Sequence, residues 1–126
     1  MSIEVEALDH VTVQITDVEQ SRKFYGEFLG LEEMERPESF DFAGAWFRTN
    51  NALIHLVVQP TPDPETQAHF CLWVADIGAT FDICTSEGFA PQWNKRKIPG
   101  LNRFFIRDPD GNRIEFQGSD GTVWSA

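Results

Sequence analysis

Cysteine is scarce in this chain. Cys71 and Cys84 are the only two in 126 residues, too few for a disulfide framework. No run is long and apolar enough to span a bilayer. The first nine residues hold three acidic side chains and no apolar stretch, so no secretory leader is expected. These absences lead to the expectation of a cytoplasmic protein with reduced thiols. Cations are also in short supply, 10 Lys and Arg against 20 Asp and Glu for a net charge of −10. A field of that sign repels nucleic acid and anionic lipid, so neither is an expected partner. The cations that exist are concentrated in Lys95, Arg96, Lys97, Arg103 and Arg107, either a solvated hairpin arm or an anion-binding edge. Eleven Phe and four Trp supply much of an apolar core. Histidine occurs only three times, and all three sit at positions related by an internal repeat.

The chain repeats itself. His10 is followed by alternating residues and then Asp17-Val18; His69 is followed in the same way by Asp76-Ile77. The helical stretch after each aspartate ends at a glycine, Gly30 or Gly88. Ile54-His55-Leu56 in the first half matches Ile114-Glu115-Phe116 in the second. The shift is 59 residues for His10 to His69 and 60 for His55 to Glu115. The pattern implies a duplicated supersecondary unit. Between the copies, Pro60, Pro62 and Pro64 can continue neither a helix nor a central strand and read as a semi-rigid linker.

Each half reads as β-α-β-β-β. In the first, residues 7–15 alternate as a strand with Val11, Val13 and Ile15 on one face. Asp17 opens a helix over about 18–29, with Phe24, Tyr25, Phe28 and Leu29 as its buried stripe and Gly30 as its C-cap. Strands come next over about 31–36, 43–49 and 52–58, the last two joined at Asn50-Asn51. The second half predicts a strand over 69–75, a helix over 77–87, and strands over 89–94, 102–107 and 113–118. Asp108-Pro109-Asp110-Gly111-Asn112 turns between the last two. The expected organisation is a first module over 1–59, a linker over 60–67 and a second module over 68–126. Together these would make an α+β fold, a paired, cup-shaped, eight-stranded mixed sheet.

Period-2 geometry sets His55 beside Leu53 and Val57, His69 beside Cys71 and Trp73, and Glu115 beside Arg113 and Gln117. The opposite faces are apolar and suit packing under the helices, leaving the first set on the concave side. Imidazole and carboxylate are suitable ligands for Zn, Ni, Fe or Mn. A glutamate inside an apolar strand is costly unless something compensates its charge. His10, His55, His69 and Glu115 are therefore expected to hold one divalent ion, identity open. Three neutral imidazoles and one carboxylate leave the site cationic and attractive to an anionic or enolisable oxygen ligand. A closed tetrahedral zinc site is the structural alternative. Cys71, on the same strand face as His69, reads as a buried neutral thiol.

Leu8-Asp9-His10-Val11, Phe24-Tyr25 with Leu29-Gly30-Leu31, and Asp108-Pro109-Asp110-Gly111-Asn112 leading to Ile114-Glu115 resemble the vicinal oxygen chelate superfamily. Its paired β-α-β-β-β modules match residues 6–118. The superfamily contains glyoxalase-type lyases, fosfomycin-resistance thiol transferases, methylmalonyl-CoA epimerases, extradiol dioxygenases and bleomycin-binding proteins. Arg36-Pro37, Ser39 to Phe42 and Gly44-Ala45-Trp46 look like a glyoxalase-like subgroup. The resemblance implies that His10, His69 and Glu115 fall on metal-ligand positions. His55 falls where a glyoxalase-type lyase has glutamate and an epimerase glutamine, a departure that speaks against strict lactoylglutathione lyase activity.

The leading expectation is metal-assisted lyase or isomerase chemistry on a small oxygen-chelating substrate, through a stabilised enolate or oxyanion, with Glu115 as the base. Arg103 and Lys97 are candidate contacts for an anionic group on that substrate. Trp46 and Phe47 are candidates for a ring or apolar part, although with Phe40 and Phe42 they also read as core and dimer surface. The alternatives are Fe(II) ring-cleaving dioxygenase or thiol transferase chemistry, and non-catalytic binding of a small molecule such as a drug. Uncovered sheet edges point to a homodimer.

Overall fold

The alternation of apolar and polar residues becomes two four-stranded mixed sheets, one in each half of the chain. The structure is a computed structural model and describes residues 1–60 and 66–121. Contacts divide the chain into two units, Met1–Pro62 and Asp63–Ala126. Most of the expected linker, 61–65, lies outside the described residues. The expected eight strands are all present, four to a sheet.

In the first unit, β1 (His10–Ile15) leads into helix α1 (Val18–Arg22), followed by β2 (Glu32–Met34), β3 (Gly44–Arg48) and β4 (Leu53–Val58). The order across the sheet is β1-β4-β3-β2. Strands β1 and β4 run parallel, and β3 is antiparallel to β4 and to β2. Asp17 caps α1, its Oδ1 accepting from the Gln20 backbone N–H at 2.9 Å, which satisfies one of the first-turn donors. The helix does not stay α-helical. Lys23–Phe28 widens into a π turn, with the Leu29 N–H donating to the Phe24 carbonyl at 2.9 Å. An i to i+5 bond inserts an extra residue in the turn, and Phe24 stacks on Phe28 with centroids 5.5 Å apart. Simple 3.6-residue periodicity carries no signal for this. Phe24 and Tyr25, adjacent in sequence, are both buried, together with Val13, Ile15, Ala45, Phe47, Ile54 and Leu56.

The second unit repeats the plan with β5 (His69–Trp73), α2 (Ile77–Ser86), β6 (Gln92–Trp93), β7 (Leu101–Arg107) and β8 (Arg113–Ser119), in the sheet order β5-β8-β7-β6. Asp76 Oδ1 accepts from the Ala79 N–H at 2.9 Å, the counterpart of the Asp17 cap. Buried Asp108 organises the β7–β8 turn: its Oδ1 accepts from the N–H groups of Asp110 and Asn112 at 2.9 and 2.8 Å. Gly111 supplies the positive φ of 87° that this turn needs. Ile77, Cys84, Phe104, Ile106, Ile114 and Phe116 form the second core. Among the described residues, no helix is long and apolar enough to cross a membrane.

Candidate functional site

Sheet register decides which polar side chains meet. His10 opens β1 and lies opposite Leu53 of β4; His69 opens β5 and lies opposite Arg113 of β8. In both units the histidine reaches the residue two positions beyond its register partner. In the first unit that residue is His55, and in the second it is Glu115. The repeat seen in the sequence is therefore a repeated diagonal across a parallel strand pair.

On the first diagonal, the imidazoles of His10 and His55 stack with centroids 3.9 Å apart and planes 15° apart. Trp46, opposite His55 in β3, covers the other side of the His55 ring at 4.0 Å and 2°. His10 Nδ1 pairs with Asp9 Oδ2 at 2.7 Å, a contact that occupies Nδ1 and so makes Nε2 the nitrogen with which the ring can meet a further partner. Among the described residues, His55 Nε2 is buried with no hydrogen-bond partner. Burial, together with repulsion from a charged His10, lowers the pKa of His55. This favours neutral imidazole, the form that binds metal.

On the second diagonal, His69 Nε2 lies 3.0 Å from Glu115 Oε2. Its Nδ1 faces the Gln67 carbonyl at 3.1 Å, again leaving Nε2 toward the face. Arg103 Nη1 donates to the other carboxylate oxygen, Oε1, at 3.2 Å. Glu115 is only 4 % exposed, so its charge is compensated inside the sheet face rather than by water. Phe105 closes the row with its ring edge-on to His69 at 5.4 Å, and the Arg113 guanidinium lies 3.7 Å over it.

The donors fit a divalent ion in two respects. The buried imidazole nitrogen at His55, unpartnered among the described residues, has a lone pair that a Lewis acid can use. The 3.0 Å between His69 Nε2 and Glu115 Oε2 is that of a direct hydrogen-bonded pair, and an ion held by both would replace that hydrogen bond with two ligand bonds of about 2.1 Å. The face-to-face His10 and His55 rings point their in-plane lone pairs side by side, so sharing an ion requires one ring to turn. Half-exposed His10 is the one with room. Among the described residues, no group of three or more His, Cys, Asp or Glu gathers as a metal site. The four expected ligands stand as two pairs, one in each unit.

Lys97, expected to contact an anionic group, is engaged within its own unit. Its Nζ donates to the Leu101 carbonyl and Asn102 Oδ1, and pairs with Asp120 at 3.3 Å. Arg103 is taken up by Glu115 and by the Arg96 carbonyl. Trp46 lies on the histidine face. Phe47 is 1 % exposed and sits on the helix side of the sheet near Tyr25, since successive strand residues face opposite ways. Cys71, read as buried, is exposed, because β5 is an edge strand. Its thiol is nonetheless pushed up to about 11 by desolvation and by the neighbouring Glu115 carboxylate. The sequence reading missed Asp9 as the partner of His10, for which adjacency was the available signal. It also missed the Arg103–Glu115 pair, for which no local signal exists.

The model of the glyoxalase/bleomycin resistance protein/dioxygenase superfamily matches residues 7–116. The chain belongs to this superfamily. Glyoxylase I 4 of Arabidopsis thaliana is 38 % identical over 128 residues, covering 94 % of this chain and 74 % of that relative. A glyoxalase family protein from Bacillus anthracis superposes with a TM-score of 0.86 at 32 % identity, covering 95 % of this chain and 100 % of that one. An antibiotic binding protein from Streptomyces shares the fold, with a TM-score of 0.75 at 20 % identity, covering 94 % of this chain and all of that one. This superfamily member is similar in sequence to proteins named as glyoxalases and in fold to an antibiotic binding protein.

Proposed function

We propose that this superfamily member is a divalent-metal-dependent enzyme of lyase or isomerase type, acting on a small substrate with vicinal oxygens. His10, His55, His69 and Glu115 are the proposed ligands, with Zn, Ni, Fe or Mn as candidate ions. The observation that supports the reading is the repeated diagonal, which sets His10 and His69, and His55 and Glu115, at equivalent sheet positions and leaves His55 Nε2 buried without a partner among the described residues. When bound, the ion supplies Lewis-acid polarisation of substrate oxygen. Glu115 is the proposed base as well as a ligand, the only carboxylate among the four, and moves the substrate proton when its carboxylate is released from the ion, with Oε1 held by Arg103. Asp9 and the Gln67 carbonyl orient the His10 and His69 rings. The exposed half of the Trp46 cluster offers an apolar surface for the rest of the substrate, and Lys97 lies on the loop that would meet an anionic end. In this reading the protein works in the cytoplasm as a homodimer, supported by free thiols, by edge strands β1 and β5, and by Trp73, which is 62 % exposed on β5.

The test is metal analysis of the purified protein, reloading with each candidate ion, and a screen of α-hydroxy carbonyl compounds and hemithioacetals in deuterated water. Metal-dependent deuterium exchange at the carbon beside the carbonyl is expected. Glu115→Gln should lower it by about 10²–10⁴-fold, the usual worth of a positioned base. Absence of bound metal, or full exchange in Glu115→Gln, overturns the reading.

Binding without conversion is the second reading, favoured by the ring cluster of Phe40, Phe42 and Trp46, in which Phe40 meets Trp46 edge-on at 5.0 Å. It predicts that an aromatic ligand binds equally well after complete chelation.

A further inference from the structure

Glu115 is approached from two sides by residues on different strands. His69 of β5 meets Oε2 at 3.0 Å, and Arg103 of β7 meets Oε1 at 3.2 Å. Neither is the direct register partner of Glu115, which lies between Cys71 and Phe105. Arg103 stands opposite Gln117 and reaches back one diagonal to the carboxylate. Its far end is held as well, with Nη2 donating to the Arg96 carbonyl. The Arg103 side chain is 15 % exposed and that of Glu115 is 6 %, so the contact is largely shielded from the solvent screening that weakens surface pairs. A planar guanidinium anchored at both ends fixes the direction of what it binds better than a flexible ammonium does.

We propose that Arg103 is a positioning residue that occupies Glu115 Oε1 and presents Oε2 alone, on the His69 side, so that Glu115 binds a divalent ion through a single oxygen. The inference rests on the metal-dependent reading and adds the mode of carboxylate ligation and the residue that sets it. Without the guanidinium, Oε1 is free to turn toward the same ion as Oε2, since the carboxylate plane is no longer held. The ion would then gain a second, longer bond to oxygen and lose an open coordination position. Arg103 touches neither ion nor substrate in this scheme; it acts through Glu115.

The experiment uses Co²⁺ as the probe, because its visible absorption reports coordination number independently of turnover. Wild type, Arg103→Met and Arg103→Lys are loaded with Co²⁺, affinity is measured by competition with a coloured chelator, and folding is checked by circular dichroism and melting. Wild type should bind Co²⁺. Arg103→Met should show visible bands shifted in position and lowered in intensity, as a higher coordination number gives, and an affinity different from that of wild type. Arg103→Lys should move part of the way back toward the wild-type spectrum and affinity, since an ammonium can still donate to Oε1 but lacks the second, anchored arm on the Arg96 carbonyl. Unchanged spectrum and affinity in a folded Arg103→Met overturn the positioning role while leaving the metal reading intact. If Arg103→Met does not fold, Arg103→Lys decides, and a wild-type spectrum and affinity there overturn the role. Failure of wild type to bind Co²⁺ overturns the metal reading and this inference with it.

Discussion

The imidazoles of His10 and His55 lie face to face, 3.9 Å apart, with Trp46 against the far side of His55 at 4.0 Å. His55 is thus the middle layer of a three-ring stack, and its position is set by packing on both faces. Its Nε2 gains no hydrogen bond from that packing. A buried polar atom without a partner costs about 1–3 kcal/mol, a cost that metal ligation would remove. This separates the structural from the chemical contribution of the ring. His55→Phe keeps a stackable ring and deletes the orphaned nitrogen. Melting should show a change within about 1 kcal/mol, or a gain, while metal affinity by chelator competition falls at least tenfold. Loss of fold together with loss of metal would assign His55 to packing alone.

Asp9 orients His10 from the neighbouring position in the chain, Oδ2 to Nδ1 at 2.7 Å. Asp9→Ala should leave the melting temperature unchanged, since the carboxylate is solvent-exposed. It should weaken metal binding by about 10–100-fold, with Asp9→Asn intermediate. Calorimetric titration with Zn²⁺ checks this, and equal affinities in all three proteins would remove Asp9 from the site.

Cys84 is 1 % exposed in the second core, and burial pushes its thiol from 9.0 up to about 11. In the folded protein the thiol stays protonated where the unfolded chain has already ionised. The stabilising contribution is complete below pH 9 and is lost as pH rises from 9 toward 11. The alkaline loss should reach about 1–2 kcal/mol, a two-unit difference discounted for imperfect desolvation. Urea unfolding at a series of pH values should show this slope, and Cys84→Ala should reduce it, the remainder falling on Cys71, whose thiol is raised in the same way. Below about pH 8, alkylation of Cys84 by iodoacetamide should track unfolding.

Gly44 opens β3 where the backbone of β4 leaves no room. A Cβ there would come within 2.3 Å of the Leu56 carbonyl oxygen and 3.1 Å of Arg36 Nη1. Gly44→Ala should destabilise the first unit by about 2–3 kcal/mol, in the range of overpacking costs, and an unaltered urea midpoint would show that β3 shifts freely.

Much of the fold could be read in the sequence because strand alternation and helix capping are local. Asp17 and Asp76 begin helices where a side-chain oxygen can reach a first-turn N–H, and Gly30 and Gly88 end them with φ of 71° and 84°. The duplicated spacing identified His10, His55, His69 and Glu115 as equivalent positions. The π turn at Lys23–Phe28 was not readable, because an i to i+5 bond depends on how Phe24 and Tyr25 both find space in the core. Phe47 joined Trp46 in the sequence reading through adjacency alone, and the strand pleat sends them to opposite faces.

Local chemistry along the chain determined that there are two β-α-β-β-β units, where their helices begin and end, and which strand faces are apolar. Tertiary structure decided the partnerships: His10 with His55, His69 with Glu115, and Arg103 with Glu115 rather than with solvent. The physical reason is register. A diagonal contact between strands depends on how two distant segments align, and a slip of one residue turns every side chain to the other face. No pattern within a single segment encodes that alignment.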